Sequence, residues 1–418
     1  MAHVLVLSLV FPPDAVSTAQ IMGDLVQDLR TLGHTVSVVT TTPHYNRDAD
    51  AEARQPLRPW WGRVVQRSDW HDTPVFHTLM PAKSGSVPLR LAAWMLFHVL
   101  SLLAGTIAVR RVNVIITPSP PLTMGVVAWL LGAWHRAPFI YNVQELYPDI
   151  AINLGAVRNR AAIRLLYALE RFVYRRSARV TPIAERMRHR LVDKGVPGER
   201  ITVIPNFVDM DVLHAVPSPN RFSREAGIDG RFVVCYAGNL GPAQGLETLL
   251  DAARLLADEP DIVVVLVGGG TLWDHLALRI RDEQLTNVRL MTHQPFSRVP
   301  EIYGASHLSV VSQAVSTGSD AVPSKVYRIM ACGGAVLAAT EPQSDLAQLV
   351  TTGQCGFIVP QDSPPTIAAV IRQAFHARET LASMGRSGRE HVLAHYSRPV
   401  VTARYDSLIH AVMQEYAH

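Results

Sequence analysis

Apolar residues fall along this chain in short runs rich in valine and isoleucine, separated by longer stretches in which they recur every three or four positions. That alternation is the pattern of parallel strands joined by crossover helices: a strand covered on both faces reads as a continuous apolar run, whereas a helix needs only a stripe. In the first half, strands are expected at His3–Val10, Thr35–Thr41, Val112–Thr117, Pro138–Val143, Ala178–Thr181 and Ile201–Ile204. A helix is expected over Ser17–Leu32, between the Pro12-Pro13-Asp14 turn and Gly33, with Ser17 or Thr18 at its cap. Arg47–Met80, with Trp60, Trp61 and Trp70, departs from the pattern and reads as a long irregular insertion facing a partner or acceptor.

Pro217 and Pro219 interrupt the periodicity within Leu213–Asn220, which places a domain boundary there, with residues 1–212 before it. A second series of strands follows at Phe232–Ala237, Ile262–Val267, Val288–Met291, Leu308–Ser312, Ala335–Ala339 and Phe357–Val359, each trailed by a helical pattern. The expected fold is α/β, with two doubly wound domains. In such sheets ligands bind beyond the carboxyl ends of the strands, so the strand-to-helix loops are where chemistry belongs.

A chain of 418 residues is long enough for two domains, each with its own core. The net charge of +4 is spread without basic blocks, so nucleic acid is not an expected partner. Nearly all the basicity is arginine; the lysines are Lys83, Lys194 and Lys325. Cys235, Cys332 and Cys355 form no paired framework, and Met1–Val10 reads as a first strand rather than a leader, so a cytoplasmic location is expected. Leu91–Val109 holds no formally charged residue and lies between Arg90 and Arg110-Arg111. As a helix it would extend roughly 28 Å, which leaves three readings open: a bilayer crossing, an ordinary buried helix, or an interfacial helix that touches lipid.

Three loops carry candidate chemistry. The opening of the second series runs from a strand through Gly238, Gly241 and Gly245 into a helix, and closely spaced glycines let backbone amides approach a phosphate. The spacing is not GxGxxG and no GxxxxGK[ST] occurs, so dinucleotide and P-loop chemistry lose support. Gly268-Gly269-Gly270 forms a second glycine loop. In the third, Thr317–Gly334, a short helix is expected to begin near Pro323, placing Ser324 and Lys325 where an anion is favoured. Lys325 would supply the compact positive charge that a departing pyrophosphate needs. In the first half, Phe11–Thr18 leads into a helix whose first turn, with Ser17 and Thr18, is a weaker anion site.

These loops, with Ile204-Pro205-Asn206-Phe207-Val208-Asp209 and the Tyr141–Asp149 stretch, resemble the retaining glycosyltransferases of family 4, of GT-B architecture. Within it they are most similar to transferases of O-antigen and colanic-acid-type polysaccharide assembly. The resemblance implies two Rossmann-like domains facing across a cleft. The first, 1–212, would bind the acceptor and the second, 213–396, the nucleotide-sugar donor. A last helix within 397–418 would cross back to the first domain. It also implies that no metal or other cofactor is required, and the pairs Asp48/Asp50 and Asp209/Asp211 are read as structural. Donor contacts would come from Gly238, Asn239, Gln244, Gly245, Gly269, Asp320, Ser324, Tyr327 and Arg328. The chain departs from the family pattern where Asn239 and Gln244 replace cations and where Arg328 replaces a glutamate on the ribose. Gln144 stands where many members have histidine, and Glu145 beside it is a candidate contact to the sugar or acceptor.

The implied reaction moves a sugar, with retention, from a nucleoside-diphosphate sugar to a glycan, lipid-linked or small-molecule acceptor, a UDP-sugar being the first expectation. Lys325 and Glu145 are the candidate catalytic residues. Membrane contact would run through 91–109, on the inner face of the cell membrane. A sugar-nucleotide 2-epimerase and a non-catalytic nucleotide-sugar-binding subunit share the architecture and stay open at this point.

Overall fold

The computed structural model describes the chain except for residues 15, 45–48, 81–86, 154, 315–321 and 417–418, and gives the backbone alone for 87–91. Asp48, Lys83 and Asp320 therefore lie outside the described residues. The chain divides into two compact units, Met1–Asn206 with Val401–His418, and Phe207–Val400.

The first unit holds strands β1 (His3–Leu7), β2 (Thr35–Thr41), β3 (Arg58–Trp61), β4 (Val65–Trp70), β5 (Thr73–Thr78), β6 (Val114–Ser119), β7 (Phe139–Val143) and β8 (Arg179–Pro182). Its helices are α1 (Ser17–Thr31), α2 (Ala49–Arg54), α3 (Val87–Ile107), α4 (Met124–His135), α5 (Asp149–Asn153), α6 (Arg160–Arg176) and α7 (Glu185–Asp193). The sheet order is β3-β4-β5-β2-β1-β6-β7-β8, parallel except where β4 pairs with β3 and β5. The central strands β1 and β6 are almost wholly apolar and buried, as strands covered on both faces must be.

Two expectations for this unit need correction. The supposed irregular insertion is a β-meander that widens the sheet: β5 joins β2 in parallel and β4 turns back on β5. The β4–β5 turn is His71-Asp72, both with positive φ (44° and 59°), the geometry a two-residue hairpin needs without the glycine that would announce it. Its inward positions are partly polar, Ser68 bonding to both Gln55 and His77, so the alternation that marks a strand was masked. Conversely, Ile201–Ile204 makes only a bridge to β8. Pro182 and Pro205 remove the donors that would extend the ladder.

The second unit contains β9 (Phe232–Ala237), β10 (Ile262–Val267), β11 (Val288–Met291), β12 (Leu308–Ser312), β13 (Val336–Ala339) and β14 (Gly356–Val359). Between and after them come α8 (Arg221–Glu225), α9 (Leu246–Arg254), α10 (Trp273–Asp282), α11 (Val299–Ala305), α12 (Lys325–Ala331), α13 (Asp345–Thr352), α14 (Pro364–His376) and α15 (Arg378–His395). The six-stranded sheet is parallel throughout, in the order β11-β10-β9-β12-β13-β14, which is the Rossmann order. That order reverses between β9 and β12, so the loops leaving these two strands flank the crevice where a nucleotide binds in such sheets. Helix α16 (Arg398–Glu415) begins in this unit and its residues from Val401 onward belong to the first.

Candidate active site

In the second unit the two glycine loops are laced together through their backbones. Gly238 N–H donates to Val267 O at 2.9 Å, Leu240 N–H to Gly269 O at 2.9 Å, and Leu272 N–H to Leu240 O at 2.9 Å. The approach is so close that a Cβ on Gly268, whose φ is +155°, would lie 1.8 Å from the Gly238 carbonyl oxygen. Gly268 and Gly270 thus serve the packing of one loop on the other, while a Cβ on Gly269 would meet nothing within 4 Å and that residue faces open space. The loop after β12 is fastened to the same place: Ala314 N–H donates to Ala243 O at 2.9 Å, and Ser312 Oγ donates to Gln244 O.

Lys325, the first residue of α12, brings its ammonium into this corner. Nζ lies 3.7 Å from the centroid of the Tyr236 ring, donates to Gln244 Oε1 at 3.3 Å, and is 3.0 Å from where a Cβ on Gly238 would stand. The Tyr236 hydroxyl, 2.7 Å from Asn239 O and 3.0 Å from Gln244 Oε1, holds the loop from its other side. Three residues along α12, and so on the same helical side, Arg328 lays its guanidinium 5.1 Å from the centroid of Phe296. Burial, then the like charge of Arg328, brings the Lys325 pKa down to about 7, and burial lowers that of Arg328. Among the described residues the charged groups acting on Lys325 include no carboxylate. Two cations are held close together, partly out of water, with no anion among the described residues to balance them.

The remaining expected donor residues fall differently. Gly245 has φ +58° and starts α9, and Asn239 is exposed on the loop. Ser324 is the N-cap of α12 but its side chain caps nothing, and Pro323 precedes the helix instead of opening it. Tyr327 does not join the cluster around Lys325: its ring is buried and lies 4.8 Å from that of Tyr396. Sequence reasoning passed over Tyr236 and Phe296, the aromatic seats of the two cations, although Tyr236 stands two residues before Gly238.

In the first unit, Ser17 and Thr18 occupy the first turn of α1, but neither caps it. The N-cap is Val16, and Asp14 Oδ1 accepts the backbone N–H of His44 at 2.9 Å. Glu145 lies in the loop after β7 with its side chain open to solvent, yet the surrounding protein removes enough water from the carboxyl to raise its pKa. Gln144 is buried and structural: Oε1 accepts from Asn206 Nδ2 at 2.9 Å and Nε2 donates to Asn142 Oδ1 at 2.7 Å. Asn142 in turn donates to the Tyr405 hydroxyl at 3.0 Å, so this polar chain ties the Glu145 loop to α16.

Among the described residues one group of three side chains has metal-ligating chemistry, His34, Asp406 and His410. His34 Nδ1 accepts the Ala2 N–H at 3.2 Å, which leaves the imidazole proton on Nε2, aimed at Asp406 Oδ1 at 2.7 Å. A metal would need that nitrogen's lone pair, so the arrangement is a hydrogen-bonded clasp between α16 and the start of β2. The second Asp-X-Asp pair is also structural: Asp209 accepts the Asp211 N–H at 2.9 Å and pairs with Arg398 at 3.2 Å.

Residues 18–206 match the family described as "Glycosyl transferase 4-like domain", and residues 219–391 match "Glycosyl transferases group 1". The chain is similar to the putative colanic acid biosynthesis glycosyl transferase WcaI of Escherichia coli (strain K12), 26% identical over 380 residues that cover 89% of this chain and 91% of that one. It is also similar to the probable glycosyltransferase WbjE of Pseudomonas aeruginosa, 22% identical over 73% of this chain and 76% of that one. Among solved structures it superposes on Anabaena HepE in complex with UDP with a TM-score of 0.74 at 16% identity, covering 98% of this chain and 100% of that one. Sucrose-phosphate synthase from Thermosynechococcus elongatus gives a TM-score of 0.76 at 16% identity, covering 99% and 100%. The chain belongs to the glycosyltransferases of GT-B fold that join a 4-like domain to a group 1 domain.

Proposed function

We propose that this glycosyltransferase moves a sugar, with retention, from a nucleoside-diphosphate sugar to a glycan or lipid-linked acceptor in polysaccharide assembly, with no metal taking part. A UDP-sugar is the first choice of donor. HepE, which shares the fold, binds UDP, and WcaI is named for colanic acid biosynthesis; both support the reading. The observation that carries it is the pair Lys325 and Arg328, two desolvated cations beside the Gly238 loop with no carboxylate among the described residues to neutralise them.

In this reading the diphosphate lies against the amides of the Gly238–Gly245 loop, and Lys325 takes up the negative charge that grows as the sugar–phosphate bond breaks. The acceptor hydroxyl attacks on the face from which the diphosphate departs, and the leaving phosphate oxygen receives its proton, so no separate protein base is required. The charge that a bound metal would supply comes from the two side chains. Glu145 contacts the acceptor or the transferred sugar. The acceptor is presented at the inner face of the cell membrane, with residues 91–109 touching lipid.

Thermal melting in the presence of UDP-, GDP-, dTDP- and ADP-sugars tests the donor assignment. The true donor at a hundredfold excess over its dissociation constant stabilises the native state by about 2.7 kcal/mol. If no nucleotide sugar shifts the melting point, or if the donor is isomerised without acceptor, the reading fails.

A further inference from the structure

Helix α6 ends on a run without acid: between Glu170 and Glu185 the chain carries Arg171, Arg175, Arg176 and Arg179 and no carboxylate. Arg171 and Arg175, four residues apart, share one side of the helix and are both exposed. Beside them, between α6 and the turn that follows α7, lies a cavity of about 100 Å³. Arg171, Arg175, Lys194 and Arg200 line it, with Tyr174 and Val196 supplying apolar wall. It sits where β8 and the Ile201 bridge begin, at the amino end of the sheet, whereas ligands of such sheets bind beyond the carboxyl ends.

One of these four cations is balanced from within. Lys194 Nζ reaches Asp149 Oδ1 at 3.0 Å and Glu170 Oε1 at 2.9 Å, and Arg190 Nη2 meets Asp149 Oδ2 at 3.0 Å, so two cations and two carboxylates cancel. That leaves three guanidinium groups. Among the described residues no carboxylate pairs with Arg171, Arg175 or Arg200. Nor are Arg171 and Arg175 needed to finish α6, since Ser177 N–H donates to Val173 O at 3.0 Å, Ser177 Oγ to Tyr174 O at 2.9 Å, and Arg200 Nη2 to Arg175 O at 3.2 Å. Arg200 thereby commits one nitrogen to the helix end and reaches the cavity half-buried. The dipole at a helix end amounts to about half a charge, too little to offset three. Like charges four residues apart on a helix repel, so Arg171 and Arg175 oppose each other unless an anion lies between them.

We infer that this cavity is a second anion site, which takes a phosphoryl dianion, either inorganic phosphate or the end group of a soluble phosphomonoester. Planar guanidinium groups present several N–H donors in a geometry that matches phosphate oxygens, and a dianion offsets most of the surplus charge. The volume lies well below the roughly 300 Å³ at which pockets for drug-sized ligands begin, so a compact ion fits and a whole nucleotide does not. A flat bilayer would call for cations spread over a face, and these converge on a recess. The site does not depend on the transferase reading: it belongs to the first unit, and the donor loops belong to the second.

Isothermal titration calorimetry of the full chain with inorganic phosphate, in a chloride buffer free of other oxyanions, tests it. The expected result is a saturable site that persists in Lys325→Met, whose donor loops have lost their ammonium. Arg171→Gln and Arg175→Gln, at exposed positions that folding tolerates, should each bind about tenfold or more weakly, the effect of losing one hydrogen bond to a charged group. Arg164→Gln, exposed on the same helix but outside the cavity, should bind as the wild type does. Thermal melting adds a readout that a merely structural arginine would not give. Without phosphate, Arg175→Gln should melt at or above the wild-type temperature, and phosphate should raise the wild-type melting point by more than that of the variant. Glycerol 3-phosphate should compete with phosphate, and vesicles containing phosphatidic acid form the lipid-borne arm. Absence of a saturable site in the wild type, undiminished binding in both arginine variants, or loss of the site in Lys325→Met overturns the proposal. So does retention on the vesicles by a protein that binds neither soluble anion, which would make the arginines a surface contact and not a cavity site.

Discussion

Both lysines among the described residues, Lys194 and Lys325, sit on tyrosine rings, and their surroundings are otherwise opposite. Lys194 Nζ lies 4.9 Å from the Tyr167 ring centroid and reaches two carboxylates, Asp149 Oδ1 at 3.0 Å and Glu170 Oε1 at 2.9 Å. Burial would push the Asp149 carboxyl up, but the bond and charge of Lys194, with Tyr167 and Arg190, bring its pKa below the usual value. Lys325 has the same aromatic seat at 3.7 Å and finds an amide oxygen and another cation instead. The first corner is electrically closed and structural. The second holds no anion among the described residues, and that imbalance is what the proposed donor site rests on.

The largest effect expected from breaking this contrast is on stability at the closed corner. Lys194→Met would leave Asp149 and Glu170 without their shared cation and cost about 3–5 kcal/mol. Urea denaturation would read it, and a loss below about 1 kcal/mol would mean that the cluster is not closed as described. At the open corner the loss should appear in rate. Lys325→Met should lower kcat about 10²–10³-fold, corresponding to roughly 2.7–4 kcal/mol of barrier, in a protein that still folds. Steady-state transfer assays decide it, and unchanged turnover would remove Lys325 from the mechanism.

Smaller in size is the cost of disturbing the loops that seat the second cation. Gly268→Ala forces a methyl carbon to 1.8 Å from the Gly238 carbonyl oxygen. The expected destabilisation is about 1–3 kcal/mol, with donor affinity falling alongside. A fully stable variant would show that the loops can separate freely.

The gentlest perturbation is pH. Unfolded Lys325 titrates at 10.5 and the folded side chain at about 7, so between those values the unfolded chain binds more protons and stability rises with pH. The cost of burying the ammonium is complete below about pH 7. At about pH 6, Lys325→Met should therefore melt at or above the wild-type temperature, by roughly 2–4 °C for each kcal/mol recovered, and the gap should close toward about pH 10. Activity runs the other way: kcat/KM for the donor should decline above about pH 7 as the ammonium is lost. A flat profile through that range would indicate that the free enzyme does not rely on this charge.

The central strands were readable because each carries its own signal. Ile262–Val267 and Phe232–Ala237 are buried on both faces, so a local apolar run marks them without knowledge of their neighbours. β3 to β5 were hidden for the converse reason: an edge meander with polar inward groups and no glycine in its β4–β5 turn gives a weak local signal. At the site, the glycine loops and Lys325 were legible as residue types at strand ends. Gln144 and Tyr327 were named for their positions in motifs, and their side chains prove to be occupied by Asn142 with Asn206 and by Tyr396.

The amino-acid order alone settled most of the succession of strands and helices, β3 to β5 and Ile201–Ile204 excepted, and offered the loops proposed for anion chemistry, since those depend on patterns a few residues long. Which side chains meet was decided by tertiary structure. Setting β9 beside β12 brings Lys325 to Gln244 across 81 residues of chain, while packing within the first unit brings Lys194 to Asp149 and Glu170 across 45 and 24 residues. Charge balance in a folded protein is a property of neighbours in space, and a linear pattern does not contain it.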